Sequence, residues 1–363
     1  MLSTDLKESF FAFVRMGIGH GSSTHSTIDS WKQMKDLAEV QGLSAIVLDG
    51  IDASIDSVNK ETDSLPLQIK LEWIGEVLQN YESRYKQYQD AIGSLAAFYN
   101  QYGFKMMVLK GYGLSMNYPK PNHRPCGDVD IWLFGRQKEA DVLLEKEYGV
   151  EIDNEHHHHT VFEWKGFSVE NHYDFMNVYH HKSNVEMEKI LKELGQDDTQ
   201  HVEIDGKRVY LPSANLHALF MLRHAMSNFA STGFNLRQLL DWGFFAEKHG
   251  AEIDWNWLDK QLEHFGMKKL YDIFNAICVG DLGFNVNIFP QVQFDPMMKD
   301  RVLNDILSPE FTEIEKGGFL RRAVFKYRRW MANAWKHELC FSESMWSAFW
   351  SGVKSHLLKP SSI

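Results

Sequence analysis

The sequence predicts an α+β protein in which a strand-rich segment, residues 104–212, separates two helical regions, residues 1–103 and 213–363. Three observations support this division. In the first hundred residues apolar side chains recur at steps of three or four, as on an amphipathic helix. After residue 104 short apolar or alternating runs of strand length replace that periodicity. Helical periodicity returns after Pro212 and continues to the end of the chain.

The N-terminal region is predicted to be helical from its caps and its spacing. Ser30 or Asp29 can cap a first helix, and Pro66 suits the first turn of a second one. From Ile74 to Tyr99 one apolar stripe continues without a break, which predicts a single long helix that ends at Gly103. We interpret this stripe as a face that packs on the core.

The central segment is predicted to form a mixed sheet. Residues 105–109 and 128–134 have the length and the alternation of strands, and residues 136–148 can form a helix. Lys165–Gly166 and Asp205–Gly206 suit tight two-residue turns, which predicts a hairpin around each pair. The C-terminal region is predicted to contain helices over residues 213–222, 235–248, 255–264, 267–277 and 319–335.

Composition excludes several classes of protein. The net charge of -11 argues against a general polyanion binder, although residues 319–363 carry eight Lys/Arg against two Asp/Glu. The three cysteines have no CxxC spacing, so neither a disulfide framework nor a zinc–cysteine site is predicted. No apolar run reaches the roughly 18 residues that a membrane span needs. We expect a cytoplasmic protein.

Acidic residues on the predicted strands indicate a metal site. Asp128 and Asp130 are two apart, so their side chains point to the same face of a strand. Carboxylates so placed can bind Mg²⁺, which prefers oxygen ligands and substrate phosphates. Glu170 lies on another predicted strand, with His172 on its face, and could serve as a third ligand or as a general base. The pattern fits a site with two metal ions for phosphoryl or nucleotidyl transfer.

Two neighbouring segments could hold phosphate. Lys110 and Gly111 follow the first predicted strand, where a glycine lets the backbone approach an anion and the lysine could reach a phosphate. Arg124 lies on a proline-flanked loop before the carboxylates and could bind a triphosphate through two nitrogens. The alternatives are a plain turn at Gly111 and, at Arg124, pairing with a carboxylate that fixes the loop.

The string VLKGYGLSMNYPKPNHRPCGDVDIWLF resembles the core of the nucleotidyltransferase superfamily that includes DNA polymerase beta. More narrowly, residues 25–260 resemble a bacterial group of uncharacterised nucleotidyltransferases. The matching positions are Leu109–Gly111, Tyr118–Pro121, Arg124, Asp128–Asp130, Glu170, His172, Leu211–Pro212, His224 and Leu236–Asp241.

The resemblance implies a polymerase beta-type core flanked by helical regions, and Mg²⁺-dependent transfer of a nucleoside monophosphate from an NTP to a hydroxyl. ATP is the usual donor in the superfamily, and the sequence does not identify the acceptor. Tyr112 stands where the superfamily usually has a small residue, so the hydroxyl that contacts phosphate is either missing or replaced by that of Ser115. The resemblance also brings His172, His224 and Arg237 forward as substrate contacts.

Two other functions stay open. A catalytically silent nucleotide-binding or partner-binding protein is favoured by Tyr112 and by Glu170, where the superfamily more often has Asp. An RNA-processing nucleotidyltransferase is less favoured because the main body is acidic, although the basic C-terminal segment leaves room for it. In the first case NTP binds without release of pyrophosphate.

Three further features have competing interpretations. Strand alternation at His156–His159 would put His157 and His159 on one face and His156 and His158 on the other, so we expect one pair to contact substrate and not a four-histidine metal site. Arg237 and Asp241 are spaced for an ion pair on a helix surface. The stretch at residues 321–335 mixes Arg with aromatics, and we favour a helix with its aromatics on the core over a membrane-, RNA- or partner-binding surface.

Overall fold

The computed structural model describes residues 2–21, 30–55, 65–179, 181–196, 200–231, 233–290, 293–311 and 318–358. It has the predicted α+β architecture, a mixed sheet flanked by helical regions on both sides in sequence. The strands of the described sheet all fall between Met107 and Tyr210. The predicted division into three regions at residues 104 and 212 stays a prediction.

The sheet has six strands in the order β3-β4-β2-β1-β6-β5. Neighbours run antiparallel except β2 with β4 and β1 with β6, which run parallel. The strands are β1 Met107–Val108, β2 Val129–Trp132, β3 His159–Trp164, β4 Phe167–His172, β5 His201–Ile204 and β6 Lys207–Tyr210.

Both predicted hairpins are confirmed. β3 and β4 are joined by Lys165 and Gly166, with φ of 49° and 81°. β5 and β6 are joined by Asp205 and Gly206, with φ of 49° and 71°. Positive φ at both turn residues matches the twist of the flanking strands, which is why an X-Gly pair at these points predicts a hairpin.

Helices occupy most of the remaining described chain. They are α1 Thr4–Gly17, α2 Trp31–Val40, α3 Ser44–Ile55, α4 Leu67–Val77, α5 Arg84–Gln101, α6 Tyr112–Ser115, α7 Gln137–Tyr148, α8 Lys182–Gln196, α9 Ala214–Ala230, α10 Leu236–His249, α11 Trp255–His264, α12 Lys268–Gly280, α13 Pro296–Leu307, α14 Phe319–Ala332, α15 Ala334–Cys340 and α16 Met345–Leu358. The predicted helices in the central and C-terminal regions are confirmed, while α8, α13, α15 and α16 were not predicted. Within the described parts of the chain, no helix combines the length and the apolar character that crossing a bilayer requires.

The long N-terminal stripe contains an interruption that periodicity did not predict. A π-helical segment, Leu78–Ser83, separates α4 from α5. Its wider turns shift the helical phase, so Leu78 is 52% exposed whereas Tyr85 and Tyr88 are buried. The predicted cap is confirmed, since the Ser30 hydroxyl accepts a hydrogen bond from the amide of Gln33 at 3.3 Å.

The sheet separates two apolar clusters. On one face, Val129 and Ile131 of β2 pack with residues of α5 and α7. On the other face, Trp132 packs with residues of α8 and α9. Because side chains alternate along a strand, Asp130 shares the face of Trp132 and points toward α9. The helices after the sheet therefore form one side of the candidate site.

Candidate active site

Three carboxylates meet where β2 and β4 run side by side. Asp130 lies directly opposite Glu170 in the register of these parallel strands, and Asp128 precedes β2. Asp130 is 2% exposed, whereas Asp128 is open to solvent. Loss of hydration within the cluster and the negative charge of Asp130 raise the pKa of Asp128. Because the carboxylates repel one another, a cation bound among them would stabilise their charged forms.

Lys110 and His172 supply positive charge to the buried carboxylate. The Oδ1 atom of Asp130 lies 2.7 Å from Nζ of Lys110 and 3.1 Å from Nε2 of His172. The same imidazole nitrogen lies 3.4 Å from Oε2 of Glu170. Burial works against a charged imidazole, but the hydrogen bonds to Asp130 and Glu170 outweigh it and raise the pKa of His172 to about 9. Burial likewise opposes ionisation of Asp130, yet Lys110 and His172 hold its pKa well below the usual range.

The four-histidine run lies beside this cluster in an arrangement that the sequence did not predict. β3 begins only at His159, and the residues before it form a bend, so the predicted alternation of faces is wrong. The rings of His158 and His159 lie 5.5 Å and 5.1 Å from that of His172. Burial, and next the charge on His172, lower the pKa of His158 to about 2. Burial also lowers the pKa of His159, to about 4. Both are neutral imidazoles at neutral pH.

Gly111 is required by a close approach to Tyr88. Its φ is 53°, and a Cβ added there would lie 2.2 Å from the Tyr88 hydroxyl oxygen. That hydroxyl donates a hydrogen bond to the carbonyl of Asp128 at 2.8 Å. The turn after β1 therefore holds the backbone that leads into β2. Sequence reasoning missed Tyr88 because it treated the whole aromatic stripe as core.

Ser115 is buried, and its hydroxyl has internal partners. Ser115 is 1% exposed, its hydroxyl donates to the carbonyl of Tyr112 at 2.6 Å, and it lies 3.0 Å from the hydroxyl of Tyr85. The residue stabilises the short helix α6. Both of its partners are internal, and its predicted role as a phosphate contact stays a prediction.

Arg124 takes the second of the two roles that the sequence allowed. Its Nε and Nη2 atoms donate to the two carboxylate oxygens of Asp241 at 2.7 Å and 3.0 Å. The Tyr118 hydroxyl donates to the same carboxylate at 2.7 Å. Arg124 is 5% exposed and fixes its loop to α10, and its predicted contact with a triphosphate stays a prediction. Asp241 is buried too, so the predicted surface ion pair with Arg237 is wrong.

The two remaining candidates lie at different distances from the carboxylates. His224 on α9 has its pKa lowered to about 3, first by burial and then by the charge on Lys110. Phe220, one turn earlier, has its ring 5.9 Å from Nζ of Lys110. Arg237 opens α10, and its amide donates to the carbonyl of Gln41 at 3.3 Å. His224 is therefore next to the cluster, whereas Arg237 lies at the junction with α2.

A cavity of about 840 Å³ adjoins the carboxylate cluster. His158 and His224 line it, and both lie beside the cluster. From α14 the lining residues are Tyr327 and Trp330 together with Lys326 and Arg329. The preferred interpretation of this helix, aromatics on the core and charges in water, holds in part: Lys326 and Arg328 are exposed, but Tyr327 is 56% exposed and lines the cavity.

The donor set suits a divalent cation. One ligand atom from each of Asp130, Glu170 and His172 lies within 4.8 Å of the others. Two of these donors are carboxylate oxygens, which Mg²⁺ prefers, and Asp128 adds a third close by. His158, His159 and His172 form a second such group. A bound ion would replace the positive charge that Lys110 and His172 now supply to Asp130.

Comparison with known proteins adds the family. A comparison of the sequence with curated proteins gave no significant match. Among solved structures, the chain is similar to an antigenic nucleotidyltransferase-like protein from Paracoccidioides brasiliensis, with 16% sequence identity and a TM-score of 0.31, over 45% of this chain and 77% of that chain. A similarity this weak carries no argument. The family model described as uncharacterised nucleotidyltransferase matches residues 28–279, well over half of the chain. The chain therefore belongs to the uncharacterised nucleotidyltransferase family.

Proposed function

We propose that this protein transfers a nucleoside monophosphate from an NTP, with ATP as the expected donor, to a hydroxyl of an acceptor, and that it requires Mg²⁺. The observation that carries the proposal is the facing pair Asp130 and Glu170 on parallel strands, with Asp128 leading into the first of them. Family membership supports nucleotidyl transfer in general. The donor set supports the choice of cation.

In the proposed reaction each residue has one role. Asp128 and Asp130 hold the cation, which when bound neutralises charge on the phosphates. A bond forms between the acceptor oxygen and the α-phosphorus of the NTP, the bond to the bridging oxygen breaks, and pyrophosphate leaves. Glu170 accepts the proton of the acceptor hydroxyl. Lys110, once released from Asp130, is the nearest cation for the phosphates.

A second candidate is a protein that binds NTP and does not turn it over. The observation that favours it is the occupation of Asp130 by both Lys110 and His172, which a cation must displace. Burial of Ser115, whose hydroxyl was expected to contact phosphate, also supports this candidate. Binding of NTP with no pyrophosphate release, across a broad panel of hydroxyl acceptors, would select this candidate.

Calorimetric titration with each NTP, with Mg²⁺ and without, tests the proposal. We expect binding that depends on Mg²⁺ and weakens at least about tenfold in Asp128→Asn/Asp130→Asn. Glu163→Gln, an exposed position on β3, is the matched control and should bind as the wild type does. Absence of binding by folded wild type with every NTP would refute the donor assignment. Asp128→Asn alone should leave stability unchanged or raised, because the cluster disfavours its charge.

A further inference from the structure

The cavity beside the carboxylates has the size of a small-molecule site. Its volume of about 840 Å³ lies within the range of roughly 300–1,000 Å³ that is typical of ligand pockets. Its walls come from α9, from the segment after β4, and from the last three helices. The helices that follow the sheet therefore enclose a space large enough for a molecule of substrate size.

One end of this cavity reaches the proposed reaction centre. His158 lines the cavity, and its ring lies 5.5 Å from that of His172. His172 in turn lies 3.1 Å from Asp130. A molecule seated against His158 and His224 would present its inner end to the carboxylates, and its bulk would extend toward α14.

The walls are suited to a flat apolar body. The rings of Trp330 and Phe349 both line the cavity, with their centroids 5.3 Å apart. The rings of His181 and Phe341 also line it, and they stack at 3.9 Å with an interplanar angle of 10°. Aromatic surfaces of this kind bind planar or aliphatic groups by burial of apolar area.

The charge along the cavity has one sign. Lys326 and Arg329 are three apart on α14, so they lie on one face of the helix and both line the cavity. None of the described lining residues is Asp or Glu. Glu343 lies 3.6 Å from the lining residue His181 and already accepts from the amides of Lys182 and Ser183. The cavity is therefore complementary to an anion.

We propose that this cavity binds the acceptor of the transfer reaction, and that the acceptor is a small molecule with a flat apolar body and an anionic group in addition to the hydroxyl that receives the nucleotide. This inference rests on the proposed function. The hydroxyl lies at the His158 end and the anion at Lys326 and Arg329.

Paired fluorescent probes test the chemistry of the cavity. 1-Anilinonaphthalene-8-sulfonate and N-phenyl-1-naphthylamine share the same apolar body, and only the first carries an anion. We expect the sulfonate to bind the wild type about fivefold more tightly than the neutral probe, as a partly exposed charge pair allows. Arg329→Glu should remove that preference. Arg328→Glu is the matched control, because Arg328 is exposed on the same helix and does not line the cavity.

A second variant keeps the test independent of charge. Ser227→Trp fills the cavity from α9 and should weaken binding of both probes, while near-ultraviolet circular dichroism checks the fold. Equal affinity of the two probes for the wild type, or equal behaviour of Arg329→Glu and Arg328→Glu, would overturn the inference.

Calorimetry on the same variants separates this inference from the proposed function. Arg329→Glu should bind Mg²⁺ and ATP as the wild type does, and Asp128→Asn/Asp130→Asn should retain the preference for the sulfonate probe. Loss of that preference in a wild type that binds NTP overturns the acceptor assignment alone. Failure of folded wild type to bind any NTP overturns the proposed function, whatever the probes do.

Discussion

The buried ion pairs Arg124–Asp241 and Lys110–Asp130 differ in how completely the charge of the carboxylate is matched. Asp241 receives two bonds from Arg124 and one from Tyr118. Asp130 contacts Lys110 and His172, but the positive charge of these two residues also acts on Glu170 and on the nearby Asp128. The first pair has matched charges, whereas the second has more acids than cations.

This difference separates scaffold from site. A matched, bidentate pair has its hydrogen bonds satisfied and gains nothing from a ligand, so Arg124 and Asp241 fix the loop before β2 to α10. A crowded cluster of acids keeps negative charge that its own cations do not compensate, and a divalent cation can compensate it. We therefore expect changes at Asp241 to lower mainly the free energy of unfolding, and changes at the Asp130 cluster to lower mainly the affinity for ligands.

Removal of the scaffold carboxylate should have the largest effect on stability. Asp241→Asn leaves Arg124 buried without its charge partner, and we expect the free energy of unfolding to fall by about 3–5 kcal/mol in urea titrations. Asp259→Asn is the control, because its ion pair with Lys268 at 2.9 Å is half exposed and should contribute less than about 1 kcal/mol. Comparable losses in the two variants would remove the distinction between the pairs.

The second largest loss of stability is expected from a change in the turn at Gly111, which follows β1. Gly111→Ala combines a positive φ with a contact of 2.2 Å to Tyr88, and should cost about 2–4 kcal/mol in unfolding free energy. Gly135→Ala measures the cost of the positive φ alone, since φ there is 85° and no atom lies within 4 Å of the added Cβ. Tyr88→Phe should restore part of the loss in Gly111→Ala. No coupling in this double-mutant cycle would contradict the proposed contact.

The two pairs should weaken at opposite ends of the pH scale. Burial opposes the charge on Asp241, but Arg124 holds its folded pKa below the unfolded value of about 3.9, so its stabilisation is present above that value and is lost as the pH falls through the folded pKa. His172 has a folded pKa of about 9, raised from about 6.5, so its stabilisation is complete below about 6.5 and is lost as the pH rises through 9.

Urea titrations across pH measure both effects. The difference in unfolding free energy between wild type and Asp241→Asn should shrink in acid below about pH 4. The corresponding difference for His172→Gln should shrink toward the pKa of about 9. A His172→Gln difference that is constant from pH 6 to 10 would show that folding does not raise the pKa of the imidazole.

Local rules predicted the fold and the acidic part of the site. Alternation at Asp128 and Asp130, and the X-Gly turns that set the hairpins, are properties of a few neighbouring residues, so they can be inferred from one sequence. The register that puts Asp130 opposite Glu170 follows once β4 is placed next to β2.

Long-range partners could not be predicted in the same way. Arg124 and Asp241 are 117 positions apart, and nothing in either local pattern indicates that they meet. Ser115 has the chemistry of a phosphate ligand, and only the packing of α5 against α6 shows that it is internal. The place of His158 and His159 depended on where β3 begins, because faces alternate only within a strand and residues 156–158 form a bend.

Metal binding tests most directly whether the carboxylates of β2 and β4 form one metal–nucleotide site. We would titrate Mn²⁺, as a paramagnetic substitute for Mg²⁺, into the protein with a non-hydrolysable ATP analogue and follow free Mn²⁺ by electron paramagnetic resonance. The account predicts that Glu170→Gln weakens Mn²⁺ binding at least about tenfold and that Glu163→Gln, on the next strand, leaves it unchanged. Equal Mn²⁺ affinity in wild type and Glu170→Gln would contradict the assignment of the β2–β4 carboxylates as one metal–nucleotide site.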